Sequence, residues 1–196
     1  MAHSVGLMVA LVIVLAVVAS AHPDERFLRM WNAAQLHKPA ALSSVARIAP
    51  ETEPGTPLVV RGVVLDPAGL PAPHVEVFAY HTDRTGLYAA DGAAEPWRLK
   101  GWAVTDEHGR FEFRTIRPAP YPNRDIPAHI HATVSTHCCG HQFADLMFED
   151  DPLATTAYRE RFAAAGEYGL YGKVTRNPDG SESVSYTIRR REHGNF

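Results

Sequence analysis

Two histidines that are one residue apart, His129 and His131, could bind a metal ion together. They lie in an alternating stretch, residues 128–135, which predicts a β-strand. In a strand, residues i and i+2 point to the same face, so both imidazoles could converge on one ion while Ile130 faces the opposite sheet. A surface strand with two solvated histidines is the alternative, and it is the better explanation of a His-x-His pair taken alone.

A proline-rich segment just before this strand could hold a tyrosine in one direction. Pro118, Pro120 and Pro122 fix φ and keep the backbone extended around Tyr121. Such a stiff segment presents a side chain at little cost in conformational entropy. The alternative is a connection whose tyrosine packs on the core, and for this segment alone it is the preferred interpretation.

Together with their neighbours, these segments form a longer pattern. It comprises the run TDEHGRFEFRTIRPAPYP at 105–122, PAHIH at 127–131, the earlier tripeptide Gly86-Leu87-Tyr88 and FEDDPL at 148–153. The pattern resembles that of the intradiol ring-cleavage dioxygenases, and most closely their protocatechuate 3,4-dioxygenase-like branch. The resemblance covers residues 56–153, which is over half of the chain that follows the leader described below.

The resemblance implies a fold, a cofactor and a reaction. The family is built on a β-sandwich and binds one non-haem Fe(III), here through Tyr88, Tyr121, His129 and His131. Because a free tyrosine loses its proton only at about pH 10, the ion must lower the pKa of both phenols. The implied substrates are a catechol-type aromatic diol and O2, and the product is a muconate-type diacid. Tyr121 is the implied catalytic residue, since the diol displaces it and it takes up a diol proton.

Three positions near these ligands are candidates for substrate binding. The family has an arginine where this chain has Ile126, and often a glutamine where it has Asp145. In a strand, Arg124 would share a face with Ile126 and could replace that arginine in part. Asp145 cannot donate a hydrogen bond as an amide does. These differences favour an alternative function, an exported β-sandwich module that binds a metal or an aromatic compound and has lost turnover.

A second cluster, HCCGH at 137–141, contains both cysteines of the chain, Cys138 and Cys139. An ordinary disulfide between them is not expected, because neighbouring Cα atoms are about 3.8 Å apart, closer than in most disulfides. With His137 and His141 they could form a soft site for Zn or Cu, which is a third hypothesis. Two small buried hydrophobic side chains are the simpler alternative.

The first residues predict a secretory signal peptide. Leu7 to Ala19 are apolar without interruption, and Ala19-Ser20-Ala21 supplies the small residues of a cleavage site. We therefore expect residues 1–21 to be removed and the mature protein to be exported, to the periplasm or outside the cell. An uncleaved anchor is the weaker interpretation, because the apolar run is short for a membrane span.

The rest of the chain divides by composition into two parts. Residues 22–55 predict an N-terminal appendage and linker, with one short amphipathic helix from Glu25 to Gln35. Residues 56–196 contain short apolar segments separated by glycine and proline, including a hairpin turn, NPDG, at 177–180. This part predicts an all-β fold, an antiparallel β-sandwich with a few short helices.

Charge restricts the partners of the protein. The 196 residues include 19 Lys and Arg against 22 Asp and Glu, which gives a net charge of −3. A nucleic-acid-binding protein is expected to carry a basic patch, so we expect no nucleic-acid partner. We also expect no membrane contact after signal cleavage, and the sequence is compatible with an oligomer.

Overall fold

Strands dominate the computed structural model, which describes residues 23–89, 97–164 and 169–196. The expected signal peptide lies outside the described residues. Within the described ranges, no helix combines the length and the apolar character that crossing a membrane requires. In chain order the elements are α1 (Glu25–Gln35), β1 (Val45–Arg47), β2 (Pro57–Leu65), β3 (Glu76–His81), β4 (Leu99–Val104), β5 (Arg110–Ile116), β6 (His129–Ser135), β7 (His141–Phe143), β8 (Asp145–Phe148), α2 (Thr156–Ala164), β9 (Gly169–Gly172), β10 (Thr175–Arg176) and β11 (Glu182–Arg189).

The strands form two sheets that pack face to face. The first sheet has the order β1-β5-β2-β11-β10, and the second has the order β4-β3-β6-β8-β9, with β7 also paired to β6. This confirms the predicted β-sandwich with short helices, but the sheets are mixed rather than antiparallel. The pairs β1–β5, β2–β11 and β8–β9 are parallel, and each has the long connection that a parallel pair requires.

Alternating side chains of the two sheets meet in one apolar core. In β2 and β5, Val60 and Phe113 are fully buried in this core. β3 differs because it is buried on both faces: Val77 points into the core, whereas Phe78 belongs to a second apolar cluster. That second cluster lies on the outer face of the second sheet, so part of this face is shielded from water.

The N-terminal segment supplies the cover for this outer face. α1 has the predicted bounds, and Asp24 caps it by accepting a hydrogen bond from the Phe27 N–H at 2.6 Å. Phe27 and Trp31 pack on the outer cluster, and Trp31 Nε1 donates to Thr133 Oγ1 of β6 at 3.4 Å. Because β1 also adds a strand to the first sheet, the expected appendage lies on the sandwich. The division of the chain into two parts at residue 56 stays a prediction.

Candidate metal centre

Strand β6 places two imidazoles side by side on the outer face of the second sheet. The His129 and His131 Nε2 atoms are 2.9 Å apart, and Ile130 between them is fully buried in the core, as the alternation predicts. His129 Nδ1 donates to the Pro127 carbonyl at 2.7 Å, and His131 Nδ1 donates to Asp145 Oδ1 at 2.8 Å. These contacts leave the Nε2 lone pair of each ring free to bind a metal.

The proline-rich segment brings Tyr121 to the same point. Its Oη lies 3.0 Å from His131 Nε2 and 3.3 Å from His129 Nε2. Thr82, just after β3, holds the segment by donating from Oγ1 to the Ala119 carbonyl at 2.7 Å. Tyr121 therefore points outward from the core to the two histidines, and the alternative of a core tyrosine is wrong.

A tight turn after β3 presents the second tyrosine, Tyr88. The Asp83 carboxylate accepts a hydrogen bond from the Thr85 N–H at 2.8 Å, and Gly86 adopts a φ of 83° that favours glycine. A Cβ at Gly86 would overlap the Pro120 carbonyl, so the turn and the proline-rich segment touch through their backbones. The Tyr88 and Tyr121 hydroxyls are hydrogen-bonded to each other.

The pKa directions of Tyr88, Tyr121 and His129 favour the neutral form of these three donor groups. Burial raises the pKa of Tyr88 well above its usual value, and burial also raises that of Tyr121. Burial lowers the pKa of His129 to about 4. Burial alone would raise the pKa of Asp145, but the attraction of His131 and its hydrogen bond hold it below the usual value. Only a strongly charged cation would draw the protons from the two phenols.

The spacing of these donors fits a single small metal ion. Metal–donor bonds of about 2.0–2.2 Å at near-right angles place neighbouring donor atoms about 3 Å apart. The separations among Tyr121 Oη and the Nε2 atoms of His129 and His131 are 2.9, 3.0 and 3.3 Å. Hard phenolate oxygens together with imidazoles suit ferric iron better than a soft cation. The four side chains that could hold the ion are Tyr88, Tyr121, His129 and His131.

A family model described as "Dioxygenase" matches residues 34–191, which is most of the chain. The chain belongs to the intradiol dioxygenase family. Catechol 1,2-dioxygenase 1 of Acinetobacter lwoffii is 29% identical over 153 residues, 68% of this chain and 48% of that protein. The protocatechuate 3,4-dioxygenase beta chain of Burkholderia cepacia is 33% identical over 111 residues, 50% of this chain and 47% of that one. Both kinds of relative occur, so the family is confirmed and its branch stays a prediction.

Solved structures of this family share the fold. The catechol 1,2-dioxygenase of Acinetobacter sp. ADP1, inhibited by bound mercury, superposes with a TM-score of 0.57 at 21% identity, covering 84% of this chain and 68% of the other. This intradiol dioxygenase chain spans about half the length of the curated relatives it matches.

The candidate substrate-binding residues of this family member lie in different surroundings. The Asp145 carboxylate bonds to His131 Nδ1, on the side of the ring away from the other donors. Arg124 is exposed, with its guanidinium carbon 6.0 Å from the centre of the Tyr121 ring, and Ile126 is half-buried. The expectation that Arg124 and Ile126 share a strand face is wrong, because β6 begins only at His129 and the preceding prolines hold residues 124–128 outside any strand.

Sequence reasoning missed the aromatic support behind the centre. The Tyr80 ring stacks on His131 with ring centres 4.9 Å apart, and on Trp97 with ring centres 3.8 Å apart. Tyr80 pairs with His131 across β3 and β6. The alternation of β3 puts Tyr80 and Phe78 on one face, but it does not reveal that α1 covers that face.

The structure divides the second histidine and cysteine cluster. Cys138 and Cys139 are exposed and free, so the alternative of two buried hydrophobic side chains is wrong. The His141 ring packs 4.8 Å from the Trp31 ring. Among the described residues, the ligand atoms of the two cysteines are grouped with His193 of the C-terminal segment, not with His137 or His141.

Proposed function

We propose that this chain is a Fe(III)-dependent intradiol dioxygenase. It would cleave a catechol-type ring between its two hydroxylated carbons and insert both atoms of O2, giving a muconate-type diacid. The observation that carries the proposal is the convergence of two phenolic oxygens and two imidazole nitrogens, Tyr88, Tyr121, His129 and His131, in a member of this family.

Ferric iron would supply a Lewis acid that takes both oxygens of the diol and makes the ring reactive towards O2. His129 and His131 remain fixed throughout, because the Pro127 carbonyl and the Asp145 carboxylate hold their Nδ1 atoms. Asp145 also adds a negative charge behind His131, which makes that imidazole a stronger donor.

Tyr121 is the group that we assign to proton transfer. Its hydroxyl bonds to Tyr88 and lies within 3.3 Å of both imidazoles, so it is central to the cluster. As a phenolate, its oxygen would be a base beside a diol hydroxyl bound at this point and would accept the proton of that hydroxyl. Tyr88 stays in the cluster, because its backbone carbonyl accepts a hydrogen bond from the Arg98 N–H at 3.0 Å.

We also propose that the protein is exported. The support is the apolar run from Leu7 to Ala19 and the small-residue site at 19–21. Its partners would then be a small aromatic diol and O2 outside the cytoplasm.

A second candidate function is binding without turnover. It is favoured by Ile126, which is half-buried and lies three residues before His129, because an aliphatic side chain cannot stabilise negative charge on a bound ring as an arginine would. Such a protein would hold the iron and the diol but would consume no O2.

Metal analysis and oxygen-electrode assays of the wild type and Tyr121→Phe test these proposals. We expect iron-loaded protein to be red-brown from tyrosinate-to-iron charge transfer, and Tyr121→Phe to lose part of the band and about 100-fold or more of the turnover. Tyr158→Phe is the control, because Tyr158 stacks on Phe162 of the same helix and is not among the four donors.

Three results distinguish the alternatives. Protein that stays colourless and iron-free after iron loading would overturn both the dioxygenase function and the binding of iron without turnover. An unchanged spectrum and rate in Tyr121→Phe would remove Tyr121 from the centre. A band that shifts with catechols, without oxygen uptake across a panel of diols, would favour binding without turnover.

A further inference from the structure

The hairpin between β6 and β7 is covered by the C-terminal segment. The two segments run alongside each other and are joined by backbone hydrogen bonds. The N–H groups of His137 and Cys138 donate to the carbonyls of residues 191 and 192, and the Gly194 N–H donates to the Cys139 carbonyl, each at 3.1 Å. The hairpin and the tail therefore have a fixed register, which sets the side chains of Cys139 and His193 against each other.

Three soft donor groups meet where these segments touch. The Sγ atoms of Cys138 and Cys139 and a ring nitrogen of His193 all lie within 4.8 Å of one another. Cys139 Sγ is 3.8 Å from His193 Nδ1. Both cysteines are free and exposed, so a cation has direct access to the thiols.

The spacing of this group matches a thiolate-binding cation. Bonds of about 2.3 Å to sulfur and 2.0–2.1 Å to nitrogen, at tetrahedral angles, place the donors about 3.5–3.8 Å apart. The Cys139–His193 separation is already close to this range, and Cys138 needs to approach by about 1.3 Å or less, on the order of one side-chain rotation. Two adjacent thiolates repel each other, and a cation between them removes that repulsion.

We propose that Cys138, Cys139 and His193 form a second metal site, which takes a soft cation of the Zn²⁺ type with water as the fourth ligand. Sulfur and imidazole ligands select such ions over ferric iron, which prefers the phenolate oxygens at the other site. The two sites lie at opposite ends of β6, since His129 begins the strand and the cysteines follow its last residue, Ser135.

Metal binding here would fasten residues 193–196 to the sandwich. The tail beyond His193 ends in Phe196, whose carbonyl accepts a hydrogen bond from the His141 N–H at 2.8 Å and whose ring packs on Phe27 and Trp31 of α1. A cation that joins His193 to the hairpin would therefore also stabilise the contact of the tail with α1. Its role would be structural, because it would join the C-terminal segment to the hairpin.

Cobalt titration tests the proposal, with iron-loaded protein in which the thiols of Cys138 and Cys139 are reduced. Co²⁺ stands in for Zn²⁺ and gives a thiolate-to-cobalt charge-transfer band that iron in the other site does not produce. We expect the band to saturate at one equivalent and to disappear when Zn²⁺ is added. We expect Cys139→Ser to abolish the band, and His193→Ala to weaken cobalt affinity by about 100-fold or more.

The matched control is His137→Ala, which removes an exposed histidine next to Cys138 that is not in the group. Its cobalt affinity should equal that of the wild type. Should Cys139→Ser fail to fold, alkylation of the thiols in the folded wild type replaces it and should also abolish the band. Hydrogen exchange supplies a second readout, because Zn²⁺ should slow exchange at the Gly194 and Asn195 amides.

No cobalt band in protein whose thiols react freely would overturn the proposal. A band that persists unchanged in His193→Ala would also overturn it, because the cation would then not join the tail to the hairpin. If the band disappears in His137→Ala, His137 is a ligand of the cobalt ion, and the assignment of His193 is contradicted.

Discussion

The two ends of β6 differ in how their donor groups are held. At the first end, His129 and His131 are fixed by hydrogen bonds to their Nδ1 atoms, and their Nε2 atoms are 2.9 Å apart. Beyond the last residue of the strand, the donors of Cys138, Cys139 and His193 are exposed and spread over distances of up to 4.8 Å. The first end of the strand therefore presents a preorganised pair of imidazoles beside two phenols, and the second end adjoins a loose group of two thiols and one imidazole.

This difference indicates what the hydrogen bonds to the metal-binding side chains contribute to a metal site. A preorganised group needs no further ordering when an ion binds, so more of the interaction energy appears as affinity. A loose group must order a loop and a tail, and its metal should therefore bind less tightly and change the local dynamics more. The following predictions test this contrast.

His131→Ala should have the largest effect. It removes one donor of the preorganised group, so we expect loss of bound iron and a fall in oxygen uptake of about a thousandfold or more. The thiolate-to-cobalt band should remain, because the soft donors are untouched. Conversely, Cys139→Ser should leave iron content and oxygen uptake unchanged. Loss of both signals in either variant would show that the two ends are not independent.

The pH dependence of the free energy of unfolding should report on His81, which ends β3 and pairs with Ile130 of β6 between the two metal-binding histidines. His81 is fully buried, donates from Nδ1 to the Thr82 carbonyl and accepts from Thr115 Oγ1 of the opposite sheet, both at 2.6 Å. Burial lowers its pKa to about 4, against 6.5 in the unfolded chain. The unfolded state therefore binds more protons between these values, and stability falls as the pH decreases from about 6.5 to about 4.

His81→Gln removes this titration. We expect the wild type to lose about 3 kcal/mol relative to His81→Gln between pH 7 and pH 4, measured by urea denaturation at each pH. The control is His74→Gln, the same change at an exposed histidine. Parallel curves for the wild type and His81→Gln would mean that His81 is not held neutral by burial.

Asp145→Asn should have a smaller effect that is confined to the preorganised end. The change keeps the size of the side chain but removes the charge that the His131 ring faces. We expect iron affinity to fall by about 10–100-fold, measured by competition with a chelator, and cobalt affinity at the cysteines to stay the same. Glu149→Gln, an exposed change just beyond the same strand, should leave iron affinity unchanged. An equal fall in iron affinity in the two variants would mean that Asp145 acts only through the net charge of the protein and not through its contact with His131.

Local patterns predict much of the preorganised end. The alternation around His129 and His131 places both on one face, and the prolines around Tyr121 indicate a stiff segment, because both signals depend only on nearby residues. The hairpin turn at 177–180 is confirmed in the same way, since β10 and β11 pair across it. The conjunction of the four donors follows from the resemblance, not from these patterns.

Contacts between distant segments were beyond such patterns. Asp145 meets His131 only because β8 pairs with β6 in one register, and His193 meets Cys139 only because the tail crosses the hairpin. The parallel pairing of β1 with β5 was missed for the same reason, and it makes part of the expected appendage an edge strand of the first sheet. Register depends on the whole packed sandwich, which no short stretch of sequence encodes.

The backbone contact at Gly86 has a consequence for the natural variation of this protein. The position has no room for even a methyl group against the Pro120 carbonyl, and its φ of 83° disfavours any larger residue. Any missense change there would push apart the two loops that carry Tyr88 and Tyr121. The two loops that carry these tyrosines are therefore expected to change together. Homologues in which the sequence of one loop differs should also differ in the other.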